Sequence, residues 1–336
     1  MFSLSLSPQF SNLLAFYFNV LIAYGIGAQS STWAEKLNLK SNKQISEKYP
    51  TLVTPAGYAF AIWGIIFSLE AISVCWMFTL SDKETNTEHL HGRIPFIFSE
   101  GSRLWILTCQ LQCAWTLAFA WDQMFISTGL MIALMYATIS TYITNLFALE
   151  TQLTIADAPS ESYAYFWAVL PFALHASWLI VATLVQLNIF VVSWNASSNV
   201  QVSFALLSLA VLLLMGCYVA GTLLASIGYA RTLNDISEMQ IGCRMCFLAV
   251  LLWSARAIES FDGELARVTA GLNKKEDDNA EGKKTKKTKN VVELIPLSRL
   301  QTIIVQRFKG VVFRCLFGAF VGNVVLFSVK RYQLME

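Results

Sequence analysis

Residues 51–70, TLVTPAGYAFAIWGIIFSLE, open an apolar run with a turn-former and ring side chains, then carry a carboxylate, Glu70, into it. Pro55 has no N–H and a fixed φ, and Gly57 accepts backbone that other residues avoid, so the Pro-Ala-Gly step predicts a turn rather than a continuing helix. The run that follows, 57–80, is long enough to cross a hydrocarbon core, which takes about 20 mostly apolar residues. Irregular backbone at such depth is tolerated only where protein buries it or where it lines a cavity. The stretch therefore predicts a helical membrane protein with a protected site at the head of one of its spans.

The rest of the chain agrees. Of 336 residues, 55% are hydrophobic and 14% charged, and the mean hydropathy is +0.52. This lies outside the range of soluble domains. The predicted class is all-α, a polytopic transmembrane helix bundle of about eight spans, at 9–28, 57–80, 103–121, 124–148, 163–190, 201–226, 241–257 and 309–328. The run 241–257 has Arg244 and Arg256 near its ends and a short apolar centre, so a re-entrant or interfacial segment is the alternative there. Arg314 in the last run is expected to snorkel. The first run, LLAFYFNVLIAYGIGA, outlasts a signal-peptide core and follows no basic residue, so it reads as a span.

Lys and Arg concentrate in the loops 29–56 and 258–308, which an eight-span topology puts on one side. The positive-inside bias assigns the basic loop 258–308 to the cytoplasmic-equivalent side and both termini to the other. Which membrane houses the chain is not encoded in this pattern; an organelle membrane is one option. The domain division is a transmembrane bundle at 1–258 with its core at 9–190, a basic and largely disordered loop at 259–300, and a C-terminal membrane helix and tail at 301–336. Residues 272–290, LNKKEDDNAEGKKTKKTKN, have too little apolar area to offset ordering entropy. They read as a solvated linker or as a clamp on anionic headgroups.

Several residue groups are candidates for chemistry. The seven Cys are scattered through apolar surroundings and make no disulfide framework. Cys243 and Cys246 form a CxxC without a second pair, and EHLH at 88–91 reads as a polar loop, so no metal site is expected. Gly25, Gly27 and Ala28 in the first span and Gly216, Ala220, Gly221 and Ala225 in the sixth suit close helix contacts. Glu70 and His175, in the middle of the second and fifth spans, are costly in lipid. Two readings stand for them: a polar pair that relays protons or holds a ligand or metal, or separate bonds to groups such as Asn19, Gln110, Gln112 or Gln186. Of the ten Trp, those near span ends fit an aromatic belt. Trp115, Trp178 and Trp253 lie deeper, where an indole N–H needs a partner.

Three stretches, VTPAGYAFAIWGIIF at 53–67, QLQCAWTLAFAWD at 110–122 and LPFALHASWLIVATLVQLN at 170–188, resemble in order the signature segments of the tryptophan-rich sensory protein family, which includes the mitochondrial translocator protein (peripheral benzodiazepine receptor-like). The match is closest to its long forms with extra C-terminal helices, and SARAIE at 254–259 is similar to their seventh helix. The resemblance implies a five-helix translocator-protein-like core with a pocket between the first loop and the bundle. Family members bind tetrapyrroles such as protoporphyrin, some also sterols or synthetic aromatic ligands. Carried across, Pro55, Gly57, Tyr58, Phe60 and Trp63 would head the pocket, Trp115 and Phe119 would come from the third helix, and Trp178, Ala182 and Thr183 from the fifth. His175 joins them as a ligand-binding candidate from its place in the span. The chain departs from the short forms at Tyr58, which stands where they have Trp, at the closer spacing of Phe60 and Trp63, at Gln112, and at Pro171, which lies further from Trp178.

The expected function is a ligand-binding or sensory membrane protein whose aromatic pocket takes a flat apolar molecule such as a tetrapyrrole, a porphyrin-type ligand. A structural subunit of a larger membrane complex and a secondary transporter of a small apolar molecule are the alternatives. The expected partners are the lipid bilayer, a small apolar ligand and a homodimer or larger membrane complex, with no nucleic acid. No nucleophile-and-base pair or metal set supports an enzyme.

Overall fold

The computed structural model describes residues 8–27, 36–80, 101–155, 162–229, 240–260 and 299–335. The EHLH stretch, Trp33 and the basic segment 272–290 lie outside the described residues. Every long element is helical. Helix α1 (Pro8–Ile22) runs on through a π turn at Ala23–Gly27. A short helix, α2 (Asn42–Lys48), follows with a capping box in which Ser41 and Gln44 satisfy each other's backbone N–H. Next come α3 (Ile62–Leu80), entered through a 3-10 turn at Gly57–Ala61, then α4 (Ser102–Ala120), α5 (Met124–Ile155) and α6 (Ser162–Ser193). The C-terminal part is α7 (Ser198–Tyr229), α8 (Gln240–Ser260) and α9 (Arg299–Met335).

Five of these close into a ring. α1 packs on α4, α4 on α5, α5 on α6, α6 on α3, and α3 back on α1. Outside it α7 packs on α6, and α9 on α7. α8 is bound in by two apolar clusters: Leu248, Leu251 and Ala255 join residues of α7 and α9, while Val250 and Ala257 join Ile66 and Trp178. α2 covers the end of the ring, with Ile45 fully buried against Trp115 and Phe119 of α4.

Among the described residues, seven helices are long and apolar enough to cross a membrane. They include Gln240–Ser260, a continuous 21-residue helix where the sequence left a re-entrant segment open. The exception among the eight expected spans is α4, which forms a helix as predicted but falls short in apolar content. Its position explains this: most of α4 is covered by neighbours, and Thr108, Gln112 and Thr116 are buried inside the ring. Thr108 and Thr116 donate to carbonyls one turn back, and Gln112 accepts from Asn19 Nδ2 at 3.4 Å. A helix surrounded by protein does not need the apolar surface that lipid demands. Of the two glycines singled out in α7, Gly216 makes the close contact: a Cβ there would lie 1.9 Å from Leu316 Cδ2 of α9, whereas one at Gly221 would meet nothing within 4 Å.

Candidate functional site

The site is organised by the turn at 51–57. Pro55 offers no donor, and the other buried polar groups of the turn are met locally or by α8. Thr51 N–H donates to Thr54 Oγ1 at 3.0 Å, the two hydroxyls lie 2.9 Å apart, and Val53 N–H reaches Thr51 Oγ1 at 3.3 Å. Ala56 N–H donates to the carbonyl of Ala257 at 3.0 Å, one of the last carbonyls of α8. The predicted irregular backbone is thus buried with its hydrogen bonds made, as membrane depth requires.

Leaving the turn, the rings fall on two sides. Tyr58 points towards α8, its ring 5.2 Å edge-on from Trp253 and its hydroxyl 3.1 Å from Ser260 Oγ. It is 43% exposed and stands apart from the other ring residues. Phe60 and Trp63 turn inward, both edge-on to Trp178, at 6.3 and 6.1 Å. Trp63 also stacks on Phe67 at 5.3 Å and meets the His175 imidazole at 5.5 Å. Trp115 and Phe119 stack on each other at 5.3 Å in the adjoining cluster beneath α2. Trp63 and Ala182 border both clusters and join them.

Below Trp63 lies the polar centre. His175 Nδ1 is 2.7 Å from Glu70 Oε1, and both side chains are wholly buried. The second atoms, Glu70 Oε2 and His175 Nε2, are buried without a hydrogen-bond partner, as is the indole N–H of Trp178 one turn along α6. Of the other polar groups named from the sequence, Asn19 bonds with Gln112 and Gln186 with Ser127 and Thr128 of α5 at 3.0 and 3.2 Å, while Gln110 is exposed. Cys243 and Cys246 pack in an apolar cluster with Trp105 and Phe172. Among the described residues no three metal-ligating side chains gather.

Sequence reasoning missed one feature. Asp122, in the turn between α4 and α5, takes Lys40 at 2.5 Å and Lys48 on the same oxygen, and Lys40 N–H donates to the carbonyl of Ala120. Burial acts upward on the Asp122 pKa, but hydrogen bonds from Lys40, Lys48 and Tyr49 outweigh it and hold the carboxyl below its ordinary value. These bonds strap the segment carrying α2 over the ring. The signal available was a single carboxylate in the short turn 121–123 and a lysine-rich loop elsewhere in the chain.

A small apolar crevice of about 10 Å³ lies between Val53, α6, α7 and Ile258. None of the inward rings lines it. No curated protein and no solved structure matches the chain. Residues 9–260 match the family model described as TSPO-like protein, a span that takes in α1 to α8 and stops short of α9. With the match covering the ring, the turn and its α8 anchor, this chain is an integral, multi-pass membrane protein of the TSPO-like family.

Proposed function

We propose that the chain binds a flat, largely apolar molecule of tetrapyrrole type, and that its seat lies where Trp63 meets Phe60, His175 and Trp178 beneath the Pro55 turn. The observation that carries this reading is the company of those rings with buried polar atoms that have no protein partner, Glu70 Oε2, His175 Nε2 and Trp178 Nε1. Apolar walls with a few convergent polar groups are what small-molecule sites present. The rings touch one another here, so binding requires Trp63 to swing away from Trp178. Its position on the border of three apolar clusters and its incomplete burial suit it to that movement.

Titration of the detergent-purified protein with protoporphyrin IX, followed by Trp fluorescence, tests the reading beside a Trp63→Leu/Trp178→Leu variant. Saturable quenching that the variant loses supports it; quenching that the variant keeps reports partition into the micelle and overturns it.

The direct packing of the same rings favours a second reading, a structural subunit of a homodimer or larger membrane complex, for which stoichiometric co-purification without ligand binding is the expected sign. A transporter draws less support, because α6 continues as helix through Pro171, without the broken segment that midplane sites of transporters use.

A further inference from the structure

We infer that the seam between the end of α8 and the start of α9 seats the headgroup phosphate of an anionic membrane lipid, held by Arg256, Arg307 and Arg314. The seam shares no residue with the ring seat, and its α9 half lies beyond residue 260, where the family match ends.

α8 ends at Ser260 and α9 starts at Arg299, so both meet the same loop and the seam lies at that end of the bundle. Its depth is fixed by the contact between the two helices. A Cβ on Gly310 would lie 3.6 Å from Glu259 Oε1 and 3.5 Å from Arg314 Nη2, which puts residue 310 level with the last turn of α8. Arg314 therefore starts one turn inside the span, and its guanidinium reaches back over Gly310 towards the end of α8. That is the direction in which a long cation in lipid finds the headgroup layer. Arg307, seven residues earlier, falls on the same face of α9, and both arginines are exposed. From α8 comes Arg256, also exposed, with its Cζ 5.4 Å from the centre of the Phe313 ring.

The charges at the seam do not balance. Glu259 Oε2 takes Arg256 Nη1 at 2.7 Å, so one carboxylate, already engaged, stands among three guanidinium groups. Lys309, buried beside Gly310, adds a further cation to the same turn. Neither Arg307 nor Arg314 makes a hydrogen bond or ion pair among the described residues. A phosphate supplies what they lack, because the guanidinium fork binds two of its oxygens at once. The surroundings select a phosphate that carries acyl chains. Trp253 on α8 and Val311 and Phe317 on α9 are exposed beside the arginines, an apolar surface that chains cover and a free anion does not. Basic pockets between spans are a known form of lipid headgroup site.

The test is native mass spectrometry of the full chain in detergent, offered phosphatidylglycerol and phosphatidylcholine with the same acyl chains, with inorganic phosphate as competitor. One phosphatidylglycerol per chain should be retained in preference to phosphatidylcholine, and excess inorganic phosphate should not displace it. Arg314→Gln should weaken retention about tenfold, the effect of losing a charge-assisted hydrogen bond. Arg256→Gln/Arg314→Gln should abolish the preference. Arg314 makes no bond within the protein, so Arg314→Gln should leave thermal unfolding of the lipid-free chain unchanged, which separates lost binding from lost fold. Lys330→Gln removes a cation from the other end of α9 and should retain the lipid. Equal retention of the two lipids, or a loss in Lys330→Gln as large as in Arg314→Gln, overturns the assignment. So does retention that survives the double arginine variant but is lost in Lys286→Gln/Lys287→Gln, which places the contact in the loop. Displacement by inorganic phosphate makes the seam a free-anion site and overturns the lipid.

Discussion

The backbone N–H of Ala56 donates to the carbonyl of Ala257 across 3.0 Å, joining the turn before α3 to the end of α8. Ala56 has φ −58° and ψ 150°, so its φ already suits proline. Ala56→Pro removes the donor and leaves a buried carbonyl unpaired, a loss of about 1–3 kcal/mol. Thermal unfolding in detergent should show it, with weaker protoporphyrin quenching because the turn no longer holds Trp63 in place.

Glu70 and His175 are the second test. Each is fully buried, and removing one leaves the other without its bond. Glu70→Ala and His175→Ala should each cost about 3–5 kcal/mol. The double variant should cost less than their sum, because neither partner is then stranded. A double-mutant cycle of thermal stabilities checks this; additive losses would contradict the hydrogen bond.

Asp122 and its lysines give a pH dependence. The folded chain holds the Asp122 carboxyl below its ordinary value, so between the two values the unfolded chain binds more protons and stability rises with pH. The strap is at full strength above the ordinary carboxylate range and fails as pH falls through the lowered value. For Lys48, burial acts downward, but the bonds to Asp122 and Tyr49 outweigh it and raise the pKa. Its share is full below the ordinary lysine value and is lost as pH rises past the raised one. With Lys40 and Lys48 side chains 37% and 40% exposed, each pair contributes about 0.2–1 kcal/mol. Hydrogen-exchange protection in 36–49, taken relative to the intrinsic rate at each pH, should fall at low pH and lose that dependence in Asp122→Asn. Asn tolerates the φ of 67° at this position, so the turn itself should survive.

Gly216 tests the docking of α9. A Cβ at 216 would lie 1.9 Å from Leu316 Cδ2 and 3.3 Å from its Cγ, so Leu316 must change rotamer. Gly216→Val should cost about 1–3 kcal/mol by overpacking. Leu316→Ala in the same chain should recover part of that loss in thermal unfolding, whereas Gly221→Ala, with open space at its Cβ, should change little.

The sequence by itself determined the membrane class, the helices and the family, because each is written locally. An apolar run of sufficient length specifies a span wherever it lies, and the Pro55-Gly57 turn and the Trp178 stretch carry their residue types in order. It also singled out Glu70 and His175, since an ionisable group in lipid is costly whatever its neighbours. Only the tertiary structure decided what those groups meet. Glu70 and His175 are 105 residues apart, and Tyr58 and Ser260 are 202 apart. No local pattern says that Tyr58 leans on α8 while Trp63 turns to His175. The polar character of α4 is legible only once its neighbours are known, because the ring that covers it supplies the partners water would otherwise give. Asp122 escaped notice for the same reason: its lysines approach from a loop whose path is set by how α2 packs on α4, not by its composition.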